Sequence, residues 1–139
     1  MNDRYLFKAK RLDNGKWVQG YYVKGLDVFT NCEEAHIIFE PNTMFYSSGE
    51  TDGWYKVDPS TICQCTGLKD KNGKLIWEND IVWDSDERAF YEIIWNQEDM
   101  CWNVEDADGH KSEFEECYGS TIEVNSNRFD NPELLESEE

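Results

Sequence analysis

The sequence predicts a mainly β protein assembled from short-stranded β-hairpins, with little helix. Three observations carry this. Apolar residues alternate with period two along most segments, Asn-Gly and Asp-Gly pairs recur between those segments, and helix-period stretches are scarce. Short strands at such spacing point to a barrel or a sandwich. The 139 residues, 14% of them aromatic, suffice to bury a core without staples.

In order along the chain, Tyr5, Phe7 and Ala9 alternate with Leu6, Lys8 and Lys10, while Trp17, Gln19, Tyr21 and Val23 share one side of the next segment. Asn14-Gly15 lies between them, so residues 5–23 read as a hairpin closed by a type I′ turn. "AHIIFEP" (35–41) reads as a strand ended by Pro41, and 42–57 as a loop or loose hairpin leading into a strand near Trp54–Val57. "DPST" is a turn and "TICQCTGL" a strand. "KDKNGK" is a turn centred on Asn72-Gly73, again expected as type I′, and "KLIW" is its return strand. "DIVWD" begins another strand. "FYEIIWN" and "CWNVED" pair across Gln97–Met100, and Asp108-Gly109 marks a further turn. "SEFEECYG" reads as a short helical turn, "STIEVNSN" as the final strand, and "NPELLESEE" as a helix-compatible start to an acidic tail at 131–139.

The net charge is −17 and unevenly placed. Residues 1–83 hold 10 basic and 12 acidic residues, a net of −2, while 84–139 hold 3 and 18, a net of −15. Residues 1–26 are locally basic through Arg4, Lys8, Lys10, Arg11, Lys16 and Lys24. Phosphate backbones would be repelled along the acidic half, which makes nucleic acid an unfavoured partner. A basic protein surface, or the N-terminus of a second copy, would be attracted. Solubility accounts for the same charge without any partner. No apolar run of 18 residues exists and "MNDRYLFKAKRLD" lacks a signal-peptide core, so a cytoplasmic address and five reduced thiols are expected.

Candidate reactive groups fail on spacing. Cys63 and Cys65 share a strand face, but Cys32, Cys101, Cys117, His36 and His110 are isolated, so no second pair completes a zinc site. Cys-x-Cys inside a strand also lacks the helix N-terminus that activates a thioredoxin-like thiol. Read from Val104, residues Asp106, Asp108, Gly109 and Glu115 fall on calcium-loop positions 3, 5, 6 and 12. Val104 cannot ligate through its side chain, and a strand precedes the loop. Gly67 and Gly73 miss phosphate-loop spacing by one residue, and Lys74 leads into a strand. The aromatic-basic alternation near the N-terminus suits single-stranded nucleic acid, and equally suits a half-buried strand pair with solvated lysines. The expectation is no catalytic, cofactor or metal site, and no enzyme.

The stretch "VDPSTICQCTGLKDKNGKLIWENDIVWD" resembles the signature of the YopX family of phage and prophage proteins. The pattern is carried by Val57, Pro59, Thr61, Ile62, Gln64, Thr66, Gly67, Leu68, Asp70, Gly73, Ile76, Trp77, Glu78, Asp80, Ile81 and Val82. "FKAKRLDNGKWVQGYYV" is similar to the family's opening hairpin and "NPELL" to its closing motif. Asn79 departs from the family's usual glycine, and Asn is the next-best residue for a left-handed turn. The cysteines fall at variable positions. The resemblance implies a β-rich fold with an SH3-like partial barrel in the C-terminal part, self-assembly and a mobile-element origin. The implied layout is an N-terminal hairpin region over 1–57, an SH3-like barrel region over 58–130 and a tail over 131–139, or a single compact unit of all three. It supplies no catalytic residue. The functions expected are a non-enzymatic, cytoplasmic homo-oligomer acting as adaptor or modulator toward a phage or host protein. The alternatives are an acidic decoy of a host nucleic-acid-binding protein, and a nucleic-acid binder through the basic hairpin.

Overall fold

A computed structural model describes residues 3–27, 33–45, 51–114 and 120–136. The fold is mainly β, as the alternation predicts, and no α-helix occurs among the described residues. The chain divides into two compact units, residues 1–64 and 65–139.

In the first unit, β1 (Phe7–Lys10), β2 (Trp17–Asp27), β3 (Glu33–Phe45) and β4 (Thr51–Lys56) form an antiparallel meander. A 3-10 turn at Pro59–Thr61 leads to β5 (Cys63–Lys69), whose first residues pair with the free edge of β1. The meander curls back on its first strand. Arg11 bridges Val57, the Leu12 N–H donates to the Lys56 carbonyl and the Asp58 N–H to that of Lys10. Ala9, Val18, Ile38 and Val57 form the core, with Phe7, Tyr22, Tyr55 and Ile62 packed on it. Fully burying a side chain such as Ile38 contributes roughly 1.5–3 kcal/mol. The β1–β2 hairpin stands as predicted, but its turn is not type I′. Only Gly15 is left-handed (φ 71°), and the Gly15 N–H donates to the Arg11 carbonyl, closing a four-residue loop. Pro41 does not end its strand either: β3 continues to Phe45, with the register against β4 shifting between Phe39 and Met44, where an irregularity absorbs the missing donor.

In the second unit, the later part of β5 pairs with β6 (Leu75–Trp77). A five-stranded sheet follows in the order β10-β9-β8-β7-β11, built from β7 (Asp80–Asp84), β8 (Ala89–Asn96), β9 (Cys101–Glu105), β10 (Lys111–Glu113) and β11 (Ile122–Asn127). Its core is Ile76, Val82, Ile93, Val104 and Ile122. The SH3-like barrel expected here is not formed as a closed barrel. The sheet ends at β10 on one side and β11 on the other, with no pairing between them among the described residues. The helical turn expected at 112–119 begins instead as strand, Ser112 pairing with Val104, and residues 115–119 lie outside the described ones. The closing "PELL" forms a single 3-10 turn over Pro132–Leu135.

Candidate functional site

The signature stretch is built around polar side chains that close turns. Asp58 caps the 3-10 turn, its Oδ1 accepting the Ser60 N–H at 3.0 Å, with Pro59 at the turn's first position. Thr61 Oγ1 accepts the Lys10 N–H and donates to the Asp58 carbonyl, tying the turn to β1. The Gln64 amide donates to the Arg4 carbonyl at 3.3 Å. Thr66 Oγ1 donates to the Ile76 carbonyl and accepts the Leu68 N–H, just where Gly67 turns left-handed (φ 82°).

Asp70 is the centre of this group. Its Oδ1 accepts the N–H groups of Asn72 and Lys74, each at 2.9 Å, and its Oδ2 accepts that of Val124 on β11 at 3.0 Å. Burial opposes its ionisation, but the amides of Val124, Lys74 and Asn72 together outweigh it and hold the carboxyl below its usual range. The turn is again not type I′. The Gly73 N–H donates to the Asp70 carbonyl and the Asp70 N–H to that of Lys74, with Gly73 alone left-handed (φ 80°). This is a type I turn followed by a glycine bulge. Further on, Asn79 is left-handed (φ 68°), as its replacement of glycine requires, within the turn holding half-buried Glu78. The buried Asp80 carboxylate accepts the Trp77 N–H at 2.8 Å. Val82 lies in the core.

The same turn recurs at Asp106–His110. Asp106 Oδ1 accepts the N–H groups of Asp108 and His110, and Gly109 is left-handed (φ 87°). The His110 and Asp108 amides and the nearby His110 side chain outweigh desolvation and lower the Asp106 carboxyl. A calcium loop is not formed at the residues that match one in sequence, because β9 precedes Asp106 and its carboxylate is turned inward to cap the hairpin; Glu115 lies outside the described residues. Asp106, Asp108 and His110 do bring one donor atom each within 4.8 Å of one another, but Asp108 and His110 are exposed.

The thiols separate by burial. Cys63 and Cys65 are free and fully buried, and Cys63 Sγ donates to the Thr61 carbonyl at 3.2 Å. Cys101 is free and half-buried; desolvation first, then the charges of Glu113 and Asp99, raise its pKa, which works against thiolate chemistry. Cys32 and Cys117 lie outside the described residues. His36 and His110 are far apart in sequence and differently engaged. His36 Nδ1 shares a hydrogen bond with the Tyr22 hydroxyl at 2.6 Å, and His110 Nδ1 lies 3.3 Å from Asp106 Oδ2.

Sequence reasoning missed one group. Glu92, on β8, is buried, and desolvation raises its pKa; Arg128 partly offsets this and Glu105 adds to it. Its Oε2 lies 3.0 Å from Arg128 Nε, yet the same oxygen has no hydrogen-bond partner, so the contact is an ion pair whose N–H is aimed elsewhere. Asn103 Oδ1, one strand away on β9, is likewise buried without a hydrogen bond. Period-two reading places Glu92 on the face opposite Ile93, which would have suggested solvent.

A family model described as YopX protein matches residues 6–136. The chain belongs to the YopX family. No curated protein matches it. In this YopX-family chain the signature therefore maps onto turn closure: Thr61, Thr66, Asp70 and Asp80 each satisfy backbone groups, while Val82 fills the core.

Two surfaces outside the signature differ in kind. On the outer side of the first unit's sheet, cross-strand pairing aligns Tyr21, Phe39 and Trp54 in one row. On the neighbouring strands, Lys8 Nζ lies 4.8 Å and Lys10 Nζ 5.4 Å from the Trp17 ring centroid. In the second unit, the β8–β9 hairpin presents Trp95 (38% exposed) and Met100 (65%) beside exposed Glu98 and Asp99. No helix among the described residues is long and apolar enough to cross a membrane.

Proposed function

We propose that this YopX-family protein is a non-enzymatic phage or prophage protein of the bacterial cytoplasm. It acts as an oligomeric adaptor or modulator through protein contacts. The observation that supports this most is that the chain carries two unlike surfaces, an aromatic-basic sheet face in the first unit and an acidic, apolar-tipped hairpin in the second. Large exposed rings rimmed by charge are the composition of protein-contact surfaces. The polar residues of the signature are engaged in closing turns, where they serve the fold.

The test is a tagged full-length chain expressed in a bacterial host, recovered at two salt concentrations and analysed by sedimentation and mass spectrometry. An oligomer with a stoichiometric protein partner retained at high salt supports the adaptor. A 16.4 kDa monomer in every condition, with no stoichiometric partner, would overturn it.

A second reading is favoured by charge. Residues 65–139 hold 6 basic and 21 acidic residues, a net of −15, the sign and density of an acidic decoy for a nucleic-acid-binding protein. That reading expects a basic partner released as salt rises. Direct nucleic-acid binding through the N-terminal hairpin has less support. The ammonium groups of Lys8 and Lys10 lie over Trp17, and a base stacking on that side would have to displace them.

A further inference from the structure

We infer that the outer sheet face of the first unit is a docking surface for the β8–β9 hairpin tip of a second copy. The inference rests on the oligomeric reading above and specifies its contact. The receiving face holds Lys8, Lys10, Trp17, Phe39, Trp54 and Lys56. Register puts Phe39 opposite Trp54, and Ile37 opposite Lys56 one pair further along the same face. Trp54 is 38% exposed and Lys56 is exposed, while Trp17 and Phe39 are half-buried. Acidic side chains border this face: Asp13, ion-paired to Arg11, lies beside Trp54 and Lys56, and Glu33 stands at the far end of β3.

The tip has the opposite charge and a matching apolar component. Glu98 and Asp99 are exposed between Trp95 and Met100. The tip is also held in one shape. Asn96 Oδ1 accepts the Glu98 and Asp99 amides, the Asn96 side chain donates to Asp99, and the Trp95 indole donates to Gln97 Oε1 at 2.8 Å. Trp95 stands edge-on to Trp102 at 5.1 Å. A pre-formed tip loses little conformational freedom on docking. Carboxylates reach the lysine ammonium groups without disturbing the cation–ring contacts beneath them, and Trp95 and Met100 supply the apolar burial that exposed ion pairs alone do not. Charge then sets orientation and pairing speed.

Face and tip are different surfaces, so each copy offers both, reciprocally to one partner or separately to two. That predicts a specific result for mixed variants. Lys8→Glu/Lys10→Glu spoils the face, and Glu98→Lys/Asp99→Lys spoils the tip. Each full-length variant alone is expected to associate at least tenfold more weakly than the unaltered chain by sedimentation, with circular dichroism unchanged. Mixed together, the negative tip of the first meets the positive face of the second and the positive tip of the second meets the negative face of the first, so association recovers toward that of the unaltered chain. An oligomer that neither variant weakens overturns the inference and leaves the oligomeric reading standing. Weakening by only one variant, or by both with no recovery on mixing, overturns it and leaves the oligomeric reading standing. An unaltered chain that stays monomeric overturns both. Should charge reversal unfold either variant, Trp54→Ala and Trp95→Ala report the same two surfaces. Loss of association in both is expected, and its retention in either overturns the inference.

Discussion

The Asp70 carboxylate accepts the Val124 N–H at 3.0 Å across 54 positions of sequence, so the turn between β5 and β6 is fastened to the last strand of the second unit. The other oxygen closes its own hairpin through Asn72 and Lys74. One side chain thus fixes a local turn and a long-range pairing.

Asp70→Ala removes the two oxygens that accept three charge-assisted hydrogen bonds and leaves the donors behind. A loss of roughly 2–4 kcal/mol is expected in urea unfolding at neutral pH. Because the folded carboxyl sits below its ordinary range, its contribution is complete above the unfolded value near about 4 and fades as pH falls through the folded one. Asp70→Ala should therefore lose less, relative to the unaltered protein, in strong acid than at pH 7. Equal unfolding midpoints for the two proteins at pH 7 would show that the three bonds are not formed.

Glu92 has the opposite sign. Its folded pKa is raised, so its contribution falls as pH climbs from the unfolded value, about 4.3, through the folded one. Glu92→Gln removes the buried charge and its repulsion with Glu105. Arg128, whose side chain is 53% exposed, remains solvated. The expected outcome is a Tm a few degrees above the unaltered protein at pH 7–8 and no gain near pH 4. A loss at neutral pH would show that the Arg128 ion pair outweighs desolvation.

Two four-residue hairpin loops carry a left-handed residue that is not glycine: Arg88 (φ 54°) after Asp84, and Met100 (φ 53°) after Asn96. Left-handed backbone costs an L-residue about 1 kcal/mol, partly returned by the greater freedom of glycine when unfolded. Arg88→Gly should therefore raise stability by roughly 0.5–1 kcal/mol in chemical unfolding. Met100→Gly should do the same while weakening association through the tip, separating fold strain from contact. A destabilised Arg88→Gly would mean that its side chain contributes more than its backbone costs.

The positions of these turns were legible and their types were not. Asn14-Gly15, Asn72-Gly73 and Asp108-Gly109 all mark hairpins, because glycine supplies positive φ where a chain reverses. The type is set by the residue that opens each turn. Asp70 and Asp106 stand three positions before their glycines and accept amides two and four residues on, which holds the intervening Asn72 and Asp108 right-handed. The Asp-x-[Asn/Asp]-Gly spacing was the available signal. The Asp70–Val124 bond, and the burial of Glu92 on a face that alternation assigns to solvent, depend on long-range packing that no local pattern encodes.

Gly20 tests the closeness of β2 and β3. A Cβ built there would lie 1.9 Å from the Phe39 carbonyl oxygen and 2.7 Å from its carbon, and backbone cannot swing aside as a side chain does. Gly25, five residues along the same strand, has nothing within 4 Å of its Cβ position. Gly20→Ala should thus force the strands apart and cost roughly 3 kcal/mol or more, while Gly25→Ala stays within about 0.5 kcal/mol of the unaltered protein. Displacing Phe39 also disturbs the ring row with Tyr21 and Trp54, so Gly20→Ala should weaken association even where it folds, and Gly25→Ala should not. The comparison is read by thermal unfolding and sedimentation on both variants. Equal stability of the two would mean that the strands lie farther apart than this register requires.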